Sequence, residues 1–348
     1  MKKRLGIVSA VICCAMGTTH AGQNVCVFDL LGKSGESYKM MEEWALAAKS
    51  WQADITLIPF QDEALVDRRL REGKCDAAYM TSMRARNYNK FAGSIDAIGG
   101  VTSNAIAQKA ISYVLDQRNK HRMLTTQNGT NYEVVGIVQI GLAYLFVRDR
   151  NLNSIEKVRG TKFAILQYDA AQKIMVESVG AQPIPSEITD FVKKFNSGQV
   201  EAIAAPAYAY KPLEIGKGIG ANGAMFTFPV VNVTGDLIAR SDKFPANFGM
   251  KSREWFIKQL PQNFAMVKRL ETGIPPKIKL NFSAEDKLKY QKILREGRLG
   301  LTKQGVYDAT MMSVLTVSYT HLRAHETRYF ISYAVLCLKN GGGGGGGG

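Results

Sequence analysis

The chain has 348 residues, 46% of them hydrophobic, with 45 Lys and Arg against 30 Asp and Glu and a formal net charge of +15. That is enough for one large or two medium globular domains with a full core. Four histidines are scattered along the chain and no Lys/Arg block carries interleaved aromatics. Most zinc sites, Ser-His-Asp and Cys-His catalysis, and a nucleic-acid surface are therefore disfavoured.

At the N-terminus, Lys2-Lys3-Arg4 precedes an apolar run over 5–16 and the small-residue stretch Thr19-His20-Ala21. Residues 1–21 read as a secretory signal peptide. A lipid anchor at Cys13 or Cys14 is the weaker alternative, because Ala10-Val11-Ile12 lacks the small residue a lipobox needs. The other end also departs from ordinary protein sequence. Val317-Ser318-Tyr319-Thr320-His321-Leu322-Arg323-Ala324-His325-Glu326-Thr327 resembles a translated transposase sequencing adapter, followed by an index, a primer and eight glycines. Residues 316–348 are accordingly expected to be an artefactual tail, with the natural chain interrupted near Leu315. Residues 1–21 hold three basic side chains, and 316–348 hold three basic and one acidic. Residues 22–315 keep a formal charge of +10. In that span only His121, Cys26 and Cys75 remain of their types. Export places the two cysteines in an oxidising compartment, which makes a Cys26–Cys75 disulfide plausible beside two buried thiols.

Residues 24–30 form a β-rich run, followed by the loop Gly32-Lys33-Ser34-Gly35 and a helical run over 36–51. The free N–H groups of that helix start can hold an anion. A second strand over 54–60 is expected to be broken by Pro59, Asp62 caps a helix to 74, and 75–81 is a third, buried strand. This β-α-β-α-β order predicts an α/β fold with a parallel sheet and right-handed crossovers. Ser82, Arg84 and Arg86 then follow a strand end, where open α/β sheets place small ligands. Two guanidiniums two residues apart suit a carboxylate or phosphate; a solvated basic turn is the plain alternative.

An amphipathic helix is expected over 104–124. Residues 132–147 form a long β-prone run that fits a strand crossing between lobes better than a membrane span, since Glu133 and Gln139 interrupt it. A smaller βαβαβ unit occupies 155–209, a return crossing 226–238, and helices 252–271 and 284–296. In the small unit, Tyr168, Asp169 and Tyr208 follow strand ends; Asp169 could equally be an N-cap and Tyr208 a core residue. The glycines of 216–223 read as a flexible surface loop, because no strand precedes them as a dinucleotide site requires. Asn128-Gly129-Thr130 and Asn232-Val233-Thr234 match glycosylation sequons by pattern alone.

Residues 154–162 (SIEKVRGTK), 179–183 (VGAQP) and 196–202 (NSGQVEA) resemble TRAP-type (DctP-like) periplasmic solute-binding proteins. Arg84-Ala85-Arg86, 89–91 (NKF), 93–96 (GSID) and 206–214 (PAYAYKPLE) are similar to a branch of solute-binding proteins, some of which bear the label RND transporter. The resemblance implies a two-lobed, type II periplasmic-binding-protein-like fold. The large lobe would comprise 22–135 and 240–315, the small lobe 148–228, with hinge strands over 136–147 and 229–239. It implies a non-enzymatic, monomeric, periplasmic protein without cofactor or metal. Such a protein captures a small polar or anionic solute and delivers it to an inner-membrane transporter. A non-catalytic scaffold subunit of an envelope efflux complex, with a vestigial cleft, is the alternative. TRAP receptors place a carboxylate-clamping Arg two residues after the Lys of Gly-x-Lys, and here that position is Ala164. The expected ligand-binding set is Lys33, Ser34, Ser82, Arg84, Arg86, Tyr168, Asp169 and Tyr208. Arg84 and Arg86 are expected to be exposed, so that removing either weakens binding with little effect on folding.

Overall fold

Strands form where β-branched and aromatic residues concentrate, and among the described residues ten of them join in one sheet. The computed structural model describes residues 22–316, so the expected signal peptide and nearly all of the expected artefactual tail lie outside the described residues. In chain order the strands are β1 (Gln23–Phe28), β2 (Ile55–Phe60), β3 (Ala77–Thr81), β4 (Leu124–Gln127), β5 (Thr130–Val147), β6 (Lys162–Leu166), β7 (Gln182–Ser186), β8 (Ala202–Pro206), β9 (Ala224–Arg240) and β10 (Lys279–Leu280). The sheet order is β2-β1-β3-β9-β5-β8-β6-β7, with β4 paired to β5 and β10 to β9.

Two parallel trios flank a long antiparallel pair. β1 pairs in parallel with β2 and β3, and β6 with β7 and β8. β5 and β9 run antiparallel between them, with Tyr132 opposite Arg240 at one end and Val147 opposite Ala224 at the other. β9 meets β3 near its C-terminal end, whereas β5 meets β8 near its own. The fold is therefore mixed α/β and two-lobed, with both long strands crossing between the halves.

Pro59 does not break β2, which pairs through it, Val27 opposite Pro59. β2 is an edge strand, where a missing N–H costs no ladder bond. Pro183 and Pro185 sit likewise in the other edge strand, β7. The helix expected over 104–124 ends at Leu115, because the Asp116 side chain caps a following 3-10 turn, Gln117–Arg122. The glycine-rich stretch is not all loop: Ile215–Ile219 is a helical turn, with Gly218 so close to Phe195 that a Cβ would stand 2.3 Å from its ring. Asn128-Gly129 is the two-residue turn joining β4 to β5, with both φ values positive, as a type I′ hairpin needs. Asn232 of the second sequon is fully buried.

The helices Glu36–Ala48, Glu63–Arg71, Asn104–Leu115 and Phe248–Thr272 bury their apolar sides on the sheet and one another. Trp44 is fully buried, and its indole N–H donates to Ser252 Oγ at 2.8 Å. The Ala284–Lys303 helix packs on the Ile155–Val158 and Ala170–Ser178 helices. Cys26 and Cys75 form a disulfide, their Cα atoms 5.9 Å apart. Neighbouring parallel strands bring them together, since β1 lies beside β3.

The crossing strands are irregular at mid-length. The β5–β9 register shifts between Val134 and Gly136 and again between Gln139 and Gly141, and Gly141 has φ +145°. Gln139 there is wholly buried and its side-chain amide donates to Asn232 Oδ1 of β9 at 2.8 Å. Asn263 of the Phe248–Thr272 helix clamps the Gln139 peptide, accepting from its N–H at 2.8 Å and donating to its carbonyl at 3.0 Å. The Asn263 bonds satisfy main-chain groups that a bulge would otherwise leave buried and unpaired, while Gln139 Oε1 and Asn232 Nδ2 have no partner among the described residues.

Candidate functional site

The end of β1 feeds a carboxylate into the start of the next helix. Asp29 is 2% exposed. It accepts from the N–H of Leu31 at 2.9 Å, Ser37 at 3.0 Å and Tyr38 at 3.1 Å, and from the Tyr208 hydroxyl at 2.5 Å. Ser37 and Tyr38 open the Glu36–Ala48 helix, so the protein's own carboxylate occupies the position where that helix start could hold an outside anion. Gly35 makes the approach possible: a Cβ there would lie 1.7 Å from Asp29 Oδ1. Burial and the Asp29 carboxylate raise the Tyr208 phenol above its ordinary range.

A second cluster forms where β3 runs into the short Ser82–Ala85 helix. Arg84 is buried, contrary to the expected exposure, with its guanidinium 3.8 Å over the Tyr168 ring. It pairs with Glu63 at 3.3 Å, Asp67 at 3.6 Å and Glu187 at 3.9 Å. Glu63 is wholly buried, accepting from the Thr81 N–H at 2.6 Å and the Tyr168 hydroxyl at 2.7 Å. Burial and Glu63 raise the Tyr168 phenol well above its ordinary value. Arg86 also departs from the expected exposure: its side chain is 8% exposed. It donates to Asp96 at 2.8 Å, reaches Asp169 at 3.5 Å and lies over the Tyr307 ring at 5.0 Å. Asp169 is buried and caps the Ala170–Ser178 helix through the Ala171 N–H. Burial pushes the Asp96 carboxyl up to about 7 against the pull of Arg86, and burial likewise pushes Asp236 up to about 7.

Of the expected set, the structure thus brings Arg84 to Tyr168 and Arg86 to Asp169, in two charged groups that each reach from the β3 side to the β6 side. Ser82 is fully buried. Tyr208 belongs to the Asp29 cluster. Lys33 and Ser34 lie apart from both, exposed on the turn Gly32–Ser34. Glu63, Asp67, Asp96 and Glu187, which neutralise the arginines, and Asp29 are outside the set expected from the sequence. Asp29 alone left a local signal, a carboxylate at a strand end just before a Gly-led helix start.

Between these clusters is a cavity of about 190 Å³. Its walls include Leu30, Met83, Leu145, Phe163, Met175 and Ile293, contributed by both halves and by crossing strand β5. Its polar lining comes from Asp29, Ser37, Thr81, Gln172, Tyr208 and Tyr290. Tyr208 is the one expected site residue on these walls; Thr81 and Met83 line them immediately beside Ser82 and Arg84 in sequence. Replacing Tyr168 by Phe should remove a charged hydrogen bond from Glu63 and cost roughly 1.5 kcal/mol. Urea unfolding of Tyr168→Phe measures this, and an unchanged midpoint would show that the bond carries no stability.

Two parallel α/β units on a pair of crossing strands, with a cavity walled by both, define a two-lobed solute-binding protein. The chain belongs to the solute-binding protein AdeT 1/2 family, whose model matches residues 19–332, a span that runs into the segment expected to be artefactual. It is 38% identical over 289 residues to the probable solute-binding protein AdeT1 of Acinetobacter baumannii, covering 83% of this chain and 94% of that one. It is 25% identical over 225 residues to AdeT2 of the same organism, covering 64% and 92%. Among solved structures, the TRAP periplasmic solute-binding protein of Desulfovibrio salexigens with bound orotic acid superposes with a TM-score of 0.69 at 11% identity, covering 86% of this chain and 99% of that one. The extracytoplasmic receptor DctP7 of Bordetella pertussis, which binds pyroglutamic acid, gives 0.65 at 12% identity, covering 86% and 99%. At such identities the structural likeness speaks for the fold.

Proposed function

We propose that the chain works in the periplasm as a non-catalytic receptor that encloses one small solute between its lobes and presents it to an inner-membrane transporter. The observation that carries this reading is the cavity walled by both halves and by a crossing strand. The lobes would be 22–135 with 240–315 and 148–228, turning on 136–147 and 229–239; the mid-length bulges of β5 and β9 support a hinge there. Ligand would favour the closed arrangement by touching both lobes at once. Within that scheme Tyr208 contacts solute, while Arg84 and Arg86, with Ser82 beneath them, latch the lobes through Tyr168, Asp169 and Glu187. Lys33 and Ser34 lie at the rim.

The solute class expected from the sequence was polar or anionic, and the structural neighbours cited above bind orotic acid and pyroglutamic acid. A thermal-shift screen should span organic acids, amino acids, phosphonates and uncharged apolar compounds. A bound solute at 100 times its Kd should add about 2.7 kcal/mol of stability. If no class of solute shifts the transition, the scaffold role with a vestigial cleft gains and the receptor reading is lost.

A further inference from the structure

Three features of the cavity bear on what it holds. No Lys or Arg lines it among the described residues. The two arginines beside it already face Glu63, Asp67, Glu187, Asp96 and Asp169. The helix N-terminus at its edge is filled by Asp29, which has four donors of its own. An incoming carboxylate would lose its water and find no free cation or open helix start, and burying an unpaired charge is strongly unfavourable. A cation would meet an Asp29 whose oxygens are already bonded.

Tyr290 supplies the complementary observation. It is 8% exposed and lines the cavity. Its ring rests on Phe282 and Phe228, with centroids 4.6 Å and 6.4 Å away. Its hydroxyl is buried and has no hydrogen-bond partner among the described residues. A buried phenol usually finds an acceptor. No acceptor reaches it in this arrangement; a molecule that enters the cavity and shifts the side chains around the hydroxyl can supply one.

Resting on the receptor reading above, we propose that the cavity takes an uncharged, largely apolar molecule carrying one hydrogen-bond acceptor, such as a ketone or ester, with Tyr290 donating to it. This departs from the polar or anionic class expected from the sequence. An apolar cavity of about 150 Å³ already accommodates a benzene-sized ligand, so a monocyclic aromatic ketone is a fitting probe.

Three probes of matched size separate charge from hydrogen bonding: ethylbenzene, acetophenone and benzoate. Titration calorimetry on the full chain should show acetophenone binding most tightly, ethylbenzene next, and benzoate at least tenfold weaker than acetophenone. In Tyr290→Phe, acetophenone should lose its advantage over ethylbenzene while ethylbenzene is unchanged. In Ala204→Leu, which adds volume at a lining position, both should weaken at least tenfold; unfolding curves confirm that each variant folds, and the unmodified chain decides the matter if one does not. Benzoate binding as tightly as acetophenone would overturn the uncharged class while leaving the receptor reading intact. So would failure of all three probes beside a positive solute in the thermal-shift screen. Equal loss of ethylbenzene and acetophenone in Tyr290→Phe would overturn the donor role. Silence from all three probes and the whole screen would remove the receptor reading with it.

Discussion

Arg86→Ala should lower stability by about 3–5 kcal/mol near neutral pH, because it strands charges that were buried around a guanidinium. Asp96 loses its 2.8 Å partner and Asp169 its 3.5 Å partner, and the Asp96 side chain is only 1% exposed. The effect should depend on pH. In the folded chain burial already pushes Asp96 up to about 7, and Asp236 likewise. Both therefore hold protons that the unfolded chain releases near pH 4. Their contribution to stability is full below the unfolded value and is lost as pH rises towards 7. Unmodified protein should accordingly be more stable at pH 5 than at pH 7.5. In Arg86→Ala the charge that lowers the Asp96 pKa is gone, so that loss continues to higher pH and the gap from the unmodified chain widens. Urea unfolding at the two pH values measures this; matching midpoints at pH 7.5 would mean that Arg86 is not a structural charge.

Asp29→Ala should cost about 2–4 kcal/mol, since the Ser37 and Tyr38 N–H groups and the Tyr208 hydroxyl lose this acceptor in a buried place and the Leu31 N–H in a part-buried one. The same change opens a helix N-terminus. Acetate or formate should then restore part of the loss by occupying the emptied position, and should do nothing for the unmodified chain. Thermal unfolding with and without acetate checks both halves. An unaffected Tm in Asp29→Ala would show that Asp29 is not what holds this corner together.

The alternation of short β-prone runs with helices carried most of the fold. Long apolar runs at 132–147 and 226–238 announced two strands of unusual length, and they are the crossings β5 and β9. What pattern could not show was position within the sheet. Pro59 reads as a break until β2 is known to lie at an edge. The site was harder. Arg84 and Arg86 stand at a strand end as expected, but a guanidinium's role depends on its partners. Those partners come from 63, 67, 96, 169 and 187, separated by other strands and helices. The cavity walls are scattered hydrophobic residues that resemble any core until the fold leaves a space between them.

The most direct test of enclosure between lobes is hydrogen exchange with and without the solute that stabilises most in the screen. Added protection is expected on both sides of the cavity together, around Phe28–Leu30 and Thr81–Met83 in one half and Ala204–Ala209 in the other, with the Asn104–Leu115 helix, which lines no part of the cavity, unchanged. Protection confined to one half, or spread evenly over the whole chain, would contradict a solute held between two closing lobes.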